Sequence, residues 1–226
     1  MRFVLAPSPL LGPASWAAVA AALAELGHEA VVARLPSLLE IEDDYYPALG
    51  EAAARAAGAA GDVLVAHSGA GAAVPAALAA AQGRFAQVVF VDAILPHPGK
   101  SWFDTAPAAL RDQLRAGAQQ GLLPSWDGWW PPGALARLVP DEAAREAVLS
   151  ELEPLPITYF EEAAPALELS GPAAYLRLSG AYDAEARIAG RLGWPVIQLP
   201  LHHLAIVTHA AAVAGALAAL ADQLDG

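Results

Sequence analysis

The sequence contains no cysteine and few basic residues. The absence of cysteine excludes disulfides, thiol catalysis and zinc–thiolate sites. Lysine and arginine together number 12 against 24 aspartates and glutamates, which gives a net charge of −12. Nucleic acids and anionic membrane surfaces are bound through basic patches. We therefore expect neither as a partner, and the same balance disfavours a strongly anionic substrate.

Long apolar runs are also absent. The stretch from residue 205 to residue 220 is interrupted by Thr208 and His209 and is rich in alanine rather than leucine. A membrane-spanning helix needs about 20 mostly apolar residues. We expect no such helix.

The N-terminus superficially resembles a secretory signal peptide, with an apolar run after Arg2 and an alanine-rich stretch further on. Pro7, Pro9 and Pro13 would break a continuous apolar helix there. We expect a buried strand instead, and a cytoplasmic protein.

Short apolar runs alternate with helix-like segments along the 226 residues, 56% of which are apolar. The runs are continuous rather than alternating, which is typical of parallel strands covered on both faces. The pattern predicts an α/β fold with a doubly wound, mostly parallel six-stranded sheet. The predicted strands are Arg2–Ala6, Ala30–Leu35, Asp62–Ala66, Gln87–Asp92, Ala174–Leu178 and Pro195–Leu199. The predicted helices are Pro13–Leu26, Tyr46–Ala57, Gly71–Gln82, Ala184–Leu192 and Ala210–Gln223.

Residues 95–171 break this rhythm, because they contain no good strand and are rich in proline and aromatic residues. We interpret them as a helical cap inserted after the fourth strand, with residues 1–94 and 172–226 forming the core domain. Ligands of open α/β sheets bind outside the carboxyl ends of the strands, so a cap there would cover the site. We expect some of the aromatic residues to form a satellite core that anchors the cap and two or three others to line a pocket. The tryptophans of this segment are Trp102, Trp126, Trp129 and Trp130.

The segment Asp62–Gly71 predicts a strand that turns sharply into a helix at Ser68. Such a turn exposes the serine, and it needs small neighbours to avoid clashes. Ala66, Gly69 and Ala70 meet this need in a relaxed form of the G-x-S-x-G pattern. Ser68 is therefore a candidate nucleophile, although a serine between small residues is also common in turns and at helix N-termini.

A nucleophilic serine needs a general base and a group that orients the base. Asp183 follows the fifth predicted strand, and His202 and His203 follow the sixth. Both positions lie at the carboxyl edge of the sheet, where Ser68 also lies. Asp183 could instead begin the next helix as its N-cap, and Asp92 and Glu185 compete with it as the acid.

The order serine, acid, histidine, with a serine elbow and an inserted cap, resembles the α/β-hydrolase superfamily. The segment His203-Leu204-Ala205-Ile206 and the opening strand, loop and Trp16 are similar to the plant methyl-esterase and hydroxynitrile-lyase group. The resemblance implies a serine hydrolase without cofactor or metal. It implies Ser68 as the nucleophile, His203 rather than His202 as the base, and Asp183 as the orienting acid.

The loop after the first strand departs from that group. An oxyanion needs preorganised N–H donors, one of which is expected from Gly69. The position of the second donor falls on Pro9, which has no N–H. We expect Leu10 to supply the N–H after a one-residue shift, or the Ser8 hydroxyl to replace it. Pro9 and His67 are expected to border the substrate pocket with the four tryptophans.

These observations favour a hydrolase of a small, largely apolar ester, thioester or amide. A loop with a missing donor also fits chemistry that develops less oxyanion charge, as in a lyase, cyclase or acyl transferase. A ligand-binding protein on the same fold is a further alternative. The expected partner is a small-molecule substrate. The sequence does not decide between a monomer and a homodimer.

Overall fold

The centre of the structure is a six-stranded sheet in the order β2-β1-β3-β4-β7-β8, in a computed structural model that describes residues 1–225. All five pairings within this sheet are parallel. The strands are β1 (Arg2–Ala6), β2 (Glu29–Val32), β3 (Asp62–His67), β4 (Phe85–Val91), β5 (Leu122–Leu123), β6 (Leu155–Pro156), β7 (Ala173–Arg177) and β8 (Val196–Gln198). The predicted α/β fold with six main strands is confirmed.

The α-helices alternate with the main strands outside the segment between β4 and β7. They are α1 (Ala17–Glu25), α2 (Tyr45–Arg55), α3 (Val74–Ala81), α4 (Trp102–Thr105), α5 (Ala108–Gly117), α6 (Ala134–Leu138), α7 (Glu142–Leu149), α8 (Ile157–Glu161), α9 (Asp183–Arg191), α10 (Ala205–Thr208) and α11 (Ala210–Asp225). None of the helices in the described part of the chain is long and apolar enough to cross a membrane.

The two faces of the sheet bury separate cores, because successive side chains of a strand point to opposite faces. On β3, Val63 and Val65 belong to one core, where α1, α10 and α11 pack. Leu64 and Ala66 belong to the other, where α2, α3 and α9 pack. The continuous apolar strands follow from this two-sided burial.

The chain reverses direction across the sheet between β1 and β3. From β1 it moves outward to β2, and it then returns past β1 to β3, β4, β7 and β8. Such a switch point opens a crevice at the carboxyl ends of the strands. The loop after β1 and the turn after β3 meet at this crevice.

Residues 95–171, here called the cap segment, contain the five helices α4 to α8 and the antiparallel pair β5–β6. The sequence did not indicate these two short strands. The cap segment shares a buried cluster with α2, in which Tyr46 and Leu49 lie with Phe103 and Phe160. Two glutamates that follow α7 also tie it to the core. Glu151 accepts a hydrogen bond from the N–H of Ala14, and Glu153 accepts hydrogen bonds from Ser37 and Leu38.

Candidate active site

Ser68 lies in a strained turn between β3 and a 3-10 helix (Ser68–Ala73) that leads into α3. Its φ of +56° is in the left-handed region, which residues other than glycine adopt rarely. The side chain is half-buried and therefore reachable. The observed turn agrees with the predicted elbow.

The turn is held against the chain that leaves β4. The carbonyl of Ser68 accepts a hydrogen bond of 3.2 Å from the N–H of Ile94. Gly71 lies so close to that chain that a Cβ there would be 1.9 Å from the carbonyl oxygen of Ile94. Glycine is required at this position because no side chain fits.

The Ser68 hydroxyl and the His203 imidazole are within hydrogen-bond distance. Ser68 Oγ lies 3.1 Å from Nε2 of His203, and Nδ1 of His203 lies 2.8 Å from Oδ2 of Asp92. His202 is directed elsewhere, with its Nε2 3.1 Å from Thr208 Oγ1. The contact of His203 rather than His202 with Ser68 follows the sequence-based expectation.

Asp92 directly follows β4 and is fully buried, with a φ of +43°. Its Oδ1 accepts hydrogen bonds of 2.8 Å from the N–H groups of Leu178 and Ser179, and its Oδ2 accepts one of 2.6 Å from the Ser179 hydroxyl. Burial raises the pKa of this carboxyl. The hydrogen bond and charge of His203, together with the hydrogen bonds from Ser179 and Leu178, lower the pKa by more, so that it lies below its ordinary value. Asp92 is therefore held as a carboxylate that accepts from His203.

The geometry corrects the expectation for Asp183. This residue begins α9, its side chain is 54% exposed, and its carboxylate accepts a 2.7 Å hydrogen bond from Nε of Arg177. Within the described residues no hydrogen bond joins Asp183 or Glu185 to His203. The physical reason is that Asp92 leaves β4, which lies directly beside β3, while the helix that begins at Asp183 turns its carboxylate toward Arg177.

Two aromatic rings stack against the imidazole of His203. The Tyr182 ring lies 5.1 Å away at an interplanar angle of 9°, and the His67 ring lies 4.5 Å away at 29°. Nε2 of His67 donates to the carbonyl of His203 over 3.2 Å. Sequence reasoning missed Tyr182, whose only signal was its place beside a candidate acid after β7.

His67 was expected in the substrate pocket, but its side chain has no exposed surface. Burial, with the nearby His203 ring, lowers its pKa to about 3. His67 therefore stays neutral and supports His203 from behind, where it cannot contact substrate.

The loop after β1 borders Ser68 from the other side. A Cβ built on Gly69 would lie 3.4 Å from Ser8 Oγ and 3.5 Å from Pro9 Cδ, so both side chains adjoin the residue after the serine. The N–H of Leu10 was expected to point into the pocket, but it donates a 3.3 Å hydrogen bond to Ser8 Oγ. Ser8 is buried, and among the described residues its own hydroxyl proton has no acceptor.

The four tryptophans occupy different surroundings. Trp126 is buried, and its ring centre lies 6.2 Å from that of His203. The exposed Trp130 packs edge-on against the Trp126 ring. Trp102 packs on Phe160, and Trp129 donates from Nε1 to the carbonyl of Pro124. Trp126 is thus beside the site, whereas Trp102 belongs to the core of the cap segment.

A cavity of about 290 Å³ adjoins the loop after β1. Among the described residues, neither Ser68, nor His203, nor any of the four tryptophans lines it. The lining is instead prolines, leucines and two carboxylates from the loop, the segment after β2 and the segment after α7. These residues are Pro7, Pro9, Leu10, Leu11, Gly12, Pro13, Leu35, Pro36, Ser37, Glu151, Glu153 and Leu155.

Comparison with solved structures supports the fold. An extracellular α/β-hydrolase from a Paenibacillus species, described as sharing structural and functional homology with tobacco salicylic acid binding protein 2, is similar at a TM-score of 0.77 and 21% identity. The match covers 97% of this chain and 98% of that one. No protein-family model and no curated protein sequence matches the chain.

Two further structures are similar over their whole lengths. A pyrethroid hydrolase from Sphingobium faniae has a TM-score of 0.72 and 17% identity, over 98% of this chain and 97% of that one. A methylesterase from Arabidopsis has a TM-score of 0.70 and 16% identity, over 99% of this chain and 100% of that one. The chain has the α/β-hydrolase fold.

Proposed function

We propose that this protein is a serine hydrolase in which Ser68 is the nucleophile, His203 the general base and Asp92 the acid that orients the base. The observation that carries the proposal is the continuous chain of hydrogen bonds from Ser68 through His203 to Asp92, on a serine held at positive φ. The α/β-hydrolase fold of the chain supports it.

In this proposal Ser68 Oγ attacks the substrate carbonyl and His203 Nε2 takes the hydroxyl proton. The imidazolium then returns that proton to the leaving oxygen as the bond to carbon breaks, which leaves an acyl group on Ser68. Water attacks the acyl group in the same way and regenerates Ser68. The Asp92 carboxylate stabilises the imidazolium in both steps without being protonated itself.

The N–H of Gly69 and the hydroxyl of Ser8 are the donors we assign to the oxyanion. Gly69 lies in the first helical turn, where N–H groups lack an intrahelical partner. Ser8 compensates for the missing N–H of Pro9. The N–H of Leu10 orients this hydroxyl, because it occupies one lone pair of Ser8 Oγ and leaves the O–H free to donate.

A small uncharged ester is the substrate class that fits best. The whole chain is strongly acidic, with a net charge of −12. This charge disfavours a substrate with a free carboxylate or phosphate, because like charges repel. Thioesters and amides share the same acyl chemistry.

The test combines a fluorophosphonate probe with hydrolysis of p-nitrophenyl acetate. We expect the probe to label the wild type at Ser68, and Ser68→Ala to abolish both labelling and turnover. Loss of a triad nucleophile costs on the order of 10⁶-fold in kcat. His203→Ala should be similarly damaging, and His202→Ala is the matched control that keeps most activity.

Two outcomes would count against hydrolysis. A folded wild type that neither reacts with the probe nor turns over any ester would remove the nucleophile assignment. Labelling without turnover would instead favour a lyase, cyclase or acyl transferase, for which the proline in the loop after β1 is the supporting observation.

A further inference from the structure

The hydroxyl of Tyr182 lies at the nucleophile although the triad does not use it. It is 3.4 Å from Ser68 Oγ, and the Tyr182 ring is nearly parallel to the His203 ring. Among the described residues the hydroxyl has no other hydrogen-bond partner. Tyr182 lies in the turn after β7, immediately before α9, and its side chain extends from there to the site.

The direction of the hydrogen bonds around Ser68 follows from the neighbouring groups. Asp92 is a carboxylate, so Nδ1 of a neutral His203 must carry the proton and donate it, which leaves Nε2 as the acceptor. Ser68 then donates its only hydroxyl proton to Nε2. The Tyr182 hydroxyl is left as the donor toward Ser68 Oγ.

The order of the strands decides which side of Ser68 this donor occupies. β3 lies between β1 and β4, so the loop with Ser8 approaches Ser68 from the β1 side. Tyr182 follows β7 and approaches from the β4 side, against the His203 ring. Ser8 and Tyr182 therefore lie on opposite sides of Ser68, and Tyr182 lies on the side of His203, the residue that protonates the leaving group.

We propose that Tyr182 is a catalytic residue that donates a hydrogen bond to the leaving oxygen of the substrate. This inference rests on the proposed hydrolase function. As the carbon–oxygen bond breaks, its electron pair moves to the leaving oxygen, and that oxygen takes its proton from His203 Nε2. Tyr182 stabilises the charge that builds up before the proton arrives and remains a neutral phenol throughout.

The surroundings of Tyr182 keep its proton in place. Burial raises the pKa of the phenol, and the charges of Asp92 and Glu185 act in the same direction. A hydrogen bond to Ser68 acts in the opposite direction but does not offset burial. The hydroxyl therefore keeps its proton at neutral pH and is available as a donor.

The test compares two esters with the same acyl group, p-nitrophenyl acetate and ethyl acetate, in the wild type and in Tyr182→Phe. Ethoxide is a poor leaving group that needs stabilisation, whereas p-nitrophenoxide does not. We expect kcat/KM for ethyl acetate to fall by about 10- to 100-fold, and kcat/KM for p-nitrophenyl acetate to fall by less than about threefold. The rate of fluorophosphonate labelling should stay near that of the wild type, because the phenylalanine ring keeps the stack on His203.

Two further variants separate the hydroxyl from the ring and from general effects of hydroxyl removal. Tyr182→Leu removes both the ring and the hydroxyl, and we expect it to impair both esters. Tyr45→Phe removes a hydroxyl bonded to Thr158 in the cap segment, 2.7 Å away, and should leave both esters unaffected.

Several outcomes would overturn the role of Tyr182 without affecting the triad. Equal losses on both esters in Tyr182→Phe would make the hydroxyl an oxyanion donor, and a change confined to KM would make it a binding group. Wild-type kinetics would show that only the ring matters. A wild type that hydrolyses neither ester would instead overturn the proposed function and this role together.

Discussion

The carboxylate of Asp92 lies 2.8 Å from Nδ1 of His203, although 111 residues separate the two in the chain. The proposed acid thus follows β4, which is paired directly with β3, the strand that precedes Ser68. The next strand, β7, supplies the support for that acid through the amides of Leu178 and Ser179. The carboxylate follows β4, and the N–H groups that follow the neighbouring strand β7 offset the free energy lost when this charge is buried.

Asp92→Asn tests this assignment. An amide at this position can donate to Nδ1 of His203, which would place the histidine proton on Nε2 and leave Ser68 without an acceptor. The equivalent change in a serine protease lowers kcat by about 10⁴-fold, and we expect a loss of that order in kcat for p-nitrophenyl acetate. Asp183→Asn is the matched control and should keep nearly full activity, because within residues 1–225 its exposed carboxylate bonds to Arg177 and to no residue of the site. The reverse ranking would restore Asp183 as the acid.

Ser8→Ala tests the proposed oxyanion donor. Loss of one such donor costs about 10²- to 10³-fold in kcat in a serine protease, and we expect a similar loss with little change in KM. Ser15→Ala is the control in the 3-10 helix that follows this loop (Pro13–Trp16), since Ser15 is also buried and its hydroxyl donates to the carbonyl of Gly12 over 2.7 Å. Both variants should lose some stability, but only Ser8→Ala should lose activity in the folded enzyme. Full activity of Ser8→Ala would indicate that the N–H of Leu10, and not the Ser8 hydroxyl, is the second oxyanion donor.

His67 makes stability depend on pH. The folded protein keeps His67 neutral down to a pKa of about 3, whereas the unfolded chain binds a proton below about 6.5. The unfolded state therefore binds more protons between these values, so the stability that this group contributes is complete above about pH 6.5 and is lost as the pH falls toward 3. The loss is about 1.4 kcal/mol per pH unit.

Urea unfolding at pH 7.5, 5.5 and 4.5 measures this dependence. His67→Gln should be less stable than the wild type at pH 7.5, because it loses the stack on His203. The difference between the two proteins should shrink as the pH falls, since glutamine does not titrate. Parallel pH profiles would show that His67 is not held neutral by the fold.

Gly71→Ala tests how closely the elbow is packed. The new Cβ would meet a backbone oxygen of Ile94, which cannot move aside as a flexible side chain can. We expect the free energy of unfolding to fall by about 2–3 kcal/mol or more. Gly215→Ala is the control, because Gly215 is exposed in α11 with open space around it, and alanine should stabilise the helix there by about 0.5–1 kcal/mol. Thermal unfolding of both variants checks the contrast.

The fold was predictable because each main strand is a short apolar run that must be buried on both faces. The bounds shifted by a few residues where polar and apolar residues mix, as at β2, which was predicted as Ala30–Leu35 and is Glu29–Val32. The two-residue strands β5 and β6 were missed because so short a pair has no periodicity.

The sequence predicted those parts of the site that depend only on which residues follow the strands of the sheet. Ser68 and His203 were placed at the carboxyl edge of the sheet, and the structure brings them together. Asp183 was expected as the acid rather than Asp92, and the sequence offered no local sign against it because both residues follow strands that end at the same edge. Asp92 reaches His203 because its backbone has a φ of +43° and because N–H groups after the neighbouring strand β7 hold its carboxylate. Neither feature can be read from the sequence around Asp92.

The hydrogen bond between the Ser68 carbonyl and the Ile94 N–H has a further consequence. It fastens the serine turn to the same short piece of chain that carries Asp92, and the cap segment leaves only beyond this point. The proposed nucleophile and the proposed acid are therefore held in register by a main-chain contact that precedes the cap segment.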